Sequence, residues 1–138
     1  ARNSSLSKQS YMRLAQALLN EGKSDSAILV LDKSIEYFPN SKFPYDYYML
    51  PWVDIYFEAG APDKAENVMR LLSDRYLDDI RYYTSLKGQF ASYYDRNTQE
   101  ALAVIQRLSE MARQHDRPEL EKALNDALET QINLFDSN

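Results

Sequence analysis

Two tight turns of one form, Gly22-Lys23-Ser24-Asp25-Ser26-Ala27 and Gly60-Ala61-Pro62-Asp63-Lys64-Ala65, lie 38 residues apart with helical sequence on both sides. The same offset matches Tyr11 with Met49 and Leu31 with Met69. A glycine ends a helix in a left-handed residue, and a small side chain early in the next helix lets the two helices approach closely. A chain punctuated in this way must be built from antiparallel helix pairs. Valine at Gly60 is expected to crowd such a turn.

Hydrophobic spacing is helical nearly throughout, and no segment reads as a strand. Tyr11, Leu14, Ala15, Leu18 and Leu19 form one amphipathic stripe, opened by Ser7 as an N-cap and stopped by Gly22. Ala27, Ile28, Leu31 and Ile35 form the next, capped by Ser24 and ended at Phe38-Pro39-Asn40. A third helix is predicted from Pro44 to Gly60 with a kink at Pro51, and Pro62 opens a fourth carrying Ala65, Val68, Met69, Leu72 and Tyr76. A fifth spans 78–94, weakened by Gly88, and a sixth runs from Asn97 to Gln114 with Ala101, Leu102, Ile105, Leu108 and Met111 inward. The seventh follows Asp116 as cap with Glu119 completing a capping box, and carries Leu120, Leu124, Leu128, Ile132 and Phe135.

Tyr11, Leu14, Ala15, Leu18, Gly22, Ala27, Leu31, Ser34 and Pro39 together resemble a tetratricopeptide repeat. A second unit supplies Met49, Trp52, Val53, Tyr56, Gly60, Ala65 and Met69 but has Leu77 where the family closes with proline. A third is degenerate, with Tyr83, Leu86 and Phe90 on its first helix and Ala101 and Ile105 on its second. The resemblance implies an all-α, right-handed α-solenoid of three helix pairs in a single domain. Its repeats are expected at 8–41, 46–79 and 80–115, with a capping helix at 117–135. It also implies a non-catalytic scaffold that binds a protein or peptide segment on the face of the first helices. In the family's register that groove holds Gln9, Met12, Gln16 and Asn20, then Tyr47, Leu50, Asp54 and Glu58. Tyr82, Thr84, Tyr93 and Tyr94 are candidates from the third unit. Met12 and Gln16 stand where repeats that clamp a C-terminal carboxylate carry Lys and Asn, which excludes that class of ligand.

The string over residues 19–69 is also similar to the soluble C-terminal region of large bacterial multi-spanning membrane proteins of the protein-mannosylating glycosyltransferase type. That resemblance implies a domain excised from a longer chain and lying on the extracytoplasmic side of a bacterial inner membrane. There it would contact the membrane-embedded part of its parent. The opening Ala1-Arg2-Asn3-Ser4-Ser5, without an initiator methionine or a signal-peptide pattern, agrees with it. Two alternatives stand beside the scaffold: an accessory domain that positions an acceptor or sugar through those of the chain's eleven tyrosines that are exposed, and an oligomerisation module.

Composition removes most chemistry. Without cysteine there is no disulfide, thiol nucleophile or thiolate metal site, and one histidine leaves no two-histidine site, so no metal or cofactor is expected. A formal charge of −5 opposes nucleic acid as a partner. No apolar run approaches the about 20 residues that cross a bilayer. The charge is uneven: residues 1–44 carry six basic and four acidic side chains, residues 45–95 five and nine. Asp54 and Glu58, one helical turn apart, have the spacing of an acid–base pair, but nothing nearby supplies a nucleophile or oxyanion donors.

Overall fold

The computed structural model describes residues 7–85 and 91–136, with side chains described over 7–83 and 96–131 and at Asn133. The described residues contain six α-helices: α1 (Lys8–Asn20), α2 (Ser24–Tyr37), α3 (Leu50–Glu58), α4 (Pro62–Ser85), α5 (Ala91–Gln114) and α6 (Pro118–Asp136). A short 3-10 turn, Tyr47–Met49, precedes α3, and no strand occurs among these residues. The architecture is the all-α helical-repeat class that the turns and spacing specify. The chain forms two compact units, Ala1–Leu71 and Leu72–Asn138, the division falling within α4.

One turn geometry recurs three times. After α1 the N–H of Gly22 donates to the carbonyl of Leu19 at 3.0 Å and that of Lys23 to Leu18 at 2.8 Å. After α3, Gly60 donates to Phe57 at 3.2 Å and Ala61 to Tyr56 at 2.8 Å. After α5, Asp116 donates to Arg113 at 3.2 Å and Arg117 to Ala112 at 2.7 Å. Each is a Schellman closure, which uses the carbonyls a helix end leaves unpaired and needs a left-handed residue at its centre. Those residues are Gly22 at φ 78°, Gly60 at φ 90° and Asp116 at φ 57°. In all three, the following helix begins two residues later, so α1–α2, α3–α4 and α5–α6 are joined alike.

In the first unit Ala15, Ala27, Leu31, Trp52, Val53, Ala65 and Met69 are fully buried. The Ser7 hydroxyl accepts from the N–H of Ser10 at 3.1 Å, the N-cap that the sequence predicts. Ser34, also fully buried, donates to the carbonyl of Leu31 at 2.6 Å and accepts from the indole N–H of Trp52 at 2.8 Å. That bond ties α2 to α3. Beyond α2, Phe38 packs edge-on to Phe43, and Tyr45 donates its N–H to the Asn40 side chain at 2.8 Å. In the second unit Ile105, Leu108 and Ala112 of α5 are buried, as are Leu120, Leu124 and Leu128 of α6. The Ser109 hydroxyl donates to Asn125 at 2.6 Å across that pair.

Several expected boundaries are corrected. Pro51 does not kink a long helix from Pro44: it lies in the first turn of α3, where its missing N–H costs nothing, and an Asp46-capped 3-10 turn precedes it. No break occurs near Leu77, because Val68, Leu72, Tyr76 and Ile80 continue one buried stripe at spacings of four through α4. α5 likewise runs unbroken through 94–97, so that the described residues hold six helices where seven were expected. The last helix is not a separate cover over a third repeat but the second arm of a tight pair with α5. Asp116 ends α5 in a left-handed conformation instead of capping α6, and α2 is capped by Lys23 without a side-chain bond, not by Ser24. The readings of Gly88, Leu86 and Phe90 lie outside the described residues, as do those of the Ile132 and Phe135 side chains.

A Cβ placed at Gly60 meets nothing within 4 Å, so the expected crowding is absent and the penalty is backbone strain alone. Gly60→Ala is expected to lower unfolding free energy by about 1 kcal/mol, and β-branched Gly60→Val by more. Asp116→Gly, which relieves the same strain, is expected to raise it by up to about 1 kcal/mol. Urea denaturation of the three variants measures these changes.

Candidate partner-binding surface

The eight groove residues fall into four rungs separated by the repeat offset: Gln9 with Tyr47, Met12 with Leu50, Gln16 with Asp54, and Asn20 with Glu58. α1 and α3, which carry all of them but Tyr47, pack on each other within the first unit. Gln9, Met12 and Gln16 are half-buried and Asn20 exposed, with the Gln16 amide donating to Asn20 at 3.1 Å. Leu50 and Asp54 are half-buried and Glu58 exposed, on the short helix α3. Tyr47 departs from the pattern. It sits in the 3-10 turn, its ring stacked on Tyr48 with centroids 4.5 Å apart, and both rings are exposed. The surface is thus polar on the α1 side, acidic at the end of α3, and aromatic where α3 begins.

Of the third-unit candidates, Tyr82 is exposed and meets Tyr83 edge-on at 5.6 Å. The side chains of Thr84, Tyr93 and Tyr94 lie outside the described residues.

A feature that the sequence reading missed lies on the second helices. A pocket of about 300 Å³ is lined by Asp32 and Ile35 of α2, Tyr45, Tyr56 of α3, and Lys64, Asn67, Val68 and Leu71 of α4. None of the eight groove residues lines it. At one corner the Asp32 carboxylate accepts from the Tyr56 hydroxyl at 2.8 Å and from the Lys64 ammonium at 2.5 Å. Burial pushes the Tyr56 phenol far above the ordinary tyrosine range, and the hydrogen bond to Asp32 and its charge add to the effect. Burial also raises Tyr45, against a hydrogen bond from the Asn40 backbone. Lys8, whose ammonium lies 5.1 Å from the centre of the Tyr45 ring, is held below the usual lysine value by burial, with Asp46 opposing. The polar corner is therefore internally satisfied, with both phenols kept neutral. Asp32 and Lys64 occupy different repeat positions, so the 38-residue alignment gave no sign of their pairing.

The comparisons with known proteins bear on the first pair. Residues 9–41 match the tetratricopeptide repeat. The match spans α1, α2 and the turn beyond, the segment whose turn, small residues and closing proline read most clearly. No curated protein and no solved structure matches the chain. Tetratricopeptide repeats are generally non-catalytic interaction modules, which suggests protein or peptide as the class of partner. No described residues form a group of three or more His, Asp or Glu placed to hold a metal, and no described helix is long and apolar enough to cross a membrane.

The two raised phenols carry a pH dependence. A tyrosine whose pKa is higher folded than unfolded holds its proton longer in the native state, so its contribution is complete below the unfolded value near 10 and is lost as pH rises above it. Stability is expected to fall more steeply above pH 10 in the wild-type chain than in Tyr56→Phe. Tyr56→Phe itself is expected to cost about 1 kcal/mol at pH 7 through the lost bond to Asp32. Urea titrations at pH 7 and at about pH 10.5 compare the two.

Proposed function

We propose that this domain is a non-catalytic scaffold that binds a short protein segment along α1 and α3. The observation that carries the reading is the alignment of three residue pairs at the repeat offset on two neighbouring first helices, with Tyr47 of the fourth pair on the turn that leads into α3. The first of these helices lies inside the tetratricopeptide match. Apolar contact comes from Met12 and Leu50, an aromatic edge from Tyr47 and Tyr48, and hydrogen bonding from Gln9, Gln16 and Asn20. Asp54 and Glu58 select against acidic partners and favour a segment with Lys or Arg near an apolar anchor.

The same reading makes the domain an appendage of a membrane protein, outside the bacterial inner membrane. Its support is the resemblance of residues 19–69 described above. Protease added outside the inner membrane of source cells is expected to degrade the protein that carries this domain. A small soluble band near 16.1 kDa, protected from protease, contradicts that placement.

Selection of a random-peptide display library on the domain is expected to enrich sequences with a basic residue beside a large apolar one. Asp54→Lys is expected to weaken the selected peptides about tenfold, and Tyr47→Ala about threefold to tenfold, with thermal stability unchanged because both positions are solvent-accessible. Absence of enrichment, or affinities indifferent to both substitutions, contradicts the assignment.

A further inference from the structure

The internal offset identifies a second surface, at the other side of the first helix pair. In the second pair, Trp52 and Tyr56 of α3 are bonded to α2 through Ser34 and Asp32, and Lys64, Asn67, Val68 and Leu71 of α4 line the pocket that α2 closes. These positions face the preceding pair. Thirty-eight residues earlier they correspond to Leu14 and Leu18 of α1 and to Ser26, Leu29, Val30 and Lys33 of α2. Trp52 and Tyr56 are buried under α2, whereas Leu14 is 51% and Leu29 64% exposed. The first pair thus presents an apolar stacking face of the kind that α2 covers on the second.

The charges on that face are self-complementary. The outward stripe of α1 and its C-cap is Arg13, Leu14, Ala17, Asn20 and Glu21, all exposed. The small Ala17 stands at its centre, with a cation four residues before it and an anion four residues after. Laid antiparallel on its own copy with Ala17 at the crossing, α1 sets Arg13 against Glu21 of the second copy. The two-fold axis makes that pair twice. A small residue at the crossing permits close approach, and Leu14, Leu18 and Leu29 supply the apolar contact. Glu21 is 3.2 Å from Lys23, but both side chains are exposed and free to exchange partners.

We propose that the chain dimerises through this face, α1 on α1, in an isologous antiparallel contact. It meets the groove along α1 and α3 at Asn20, which borders both surfaces, while Gln9, Met12, Gln16 and the α3 residues lie outside it, so dimerisation raises the avidity for a repeated or paired partner segment.

Sedimentation equilibrium of the full chain from about 1 µM to about 500 µM at low salt tests this. A mass that rises from 16.1 kDa toward twice that value is expected. Ala17→Arg and, independently, Leu14→Gln are expected to hold the chain monomeric, with helical circular dichroism confirming the fold of each. Arg13→Glu is expected to weaken association about tenfold, Glu21→Arg likewise, and the double swap Arg13→Glu/Glu21→Arg to restore it. A monomer at every concentration overturns the proposal. So does a dimer indifferent to Ala17→Arg and Leu14→Gln, or a double swap no better than either single change. Peptide binding that survives in monomeric Ala17→Arg separates this surface from the groove.

Discussion

Once its ring is fully buried, the indole N–H of Trp52 must find an acceptor, and it finds the Ser34 hydroxyl at 2.8 Å. That hydroxyl gives its own proton to the carbonyl of Leu31, so both groups are satisfied inside the core. The bond needs a side chain as small as serine on α2, and it fixes where α3 lies against the first pair. The second tie, from Tyr56 and Lys64 to Asp32, sits nearer solvent and closes one corner of the pocket. Placement of α3 beside α1, and therefore the alignment of groove residues, depends on these contacts.

The turns supply the other constraint. A Schellman closure fixes the exit of one helix and the entry of the next within three residues, so each helix pair leaves its first arm with a defined exposed stripe. On α1 and α3 those stripes meet as one candidate surface, while α2 and α4 with Tyr45 and Tyr56 build a separate pocket in which Asp32, Tyr56 and Lys64 satisfy one another. A surface with spare donors and carboxylates suits recognition of a chain; a pocket with a closed hydrogen-bond network suits packing.

Much of this was legible because glycine, alanine and serine have narrow uses. Gly22 and Gly60 at left-handed positions, Ala27 and Ala65 at the fully buried contacts, and Ser7 at the N-cap were all readable from residue type and spacing. The third turn was hidden because Asp116 holds its left-handed position. Leu120 also comes four residues after that centre, whereas Ala27 and Ala65 come five after theirs, so α6 buries a stripe one residue out of phase. The length of α4 was hidden for a related reason: an expected stop at Leu77 outweighed the apolar spacing that runs through it to Ile80. Among the site features, the groove register followed from the repeat. Ser34 was recognised only as small, because a hydrogen bond between residues 18 apart leaves no mark in periodicity.

Amide chemical-shift mapping of an isotope-labelled domain, titrated with a display-selected peptide, tests most directly whether the first helices form the recognition surface. The account predicts the largest shifts at Met12, Gln16, Leu50 and Asp54, with Asp32, Lys64 and Asn67 little moved. Shifts concentrated at Asp32, Lys64 and Asn67 would contradict it and make the pocket between the second helices the binding site.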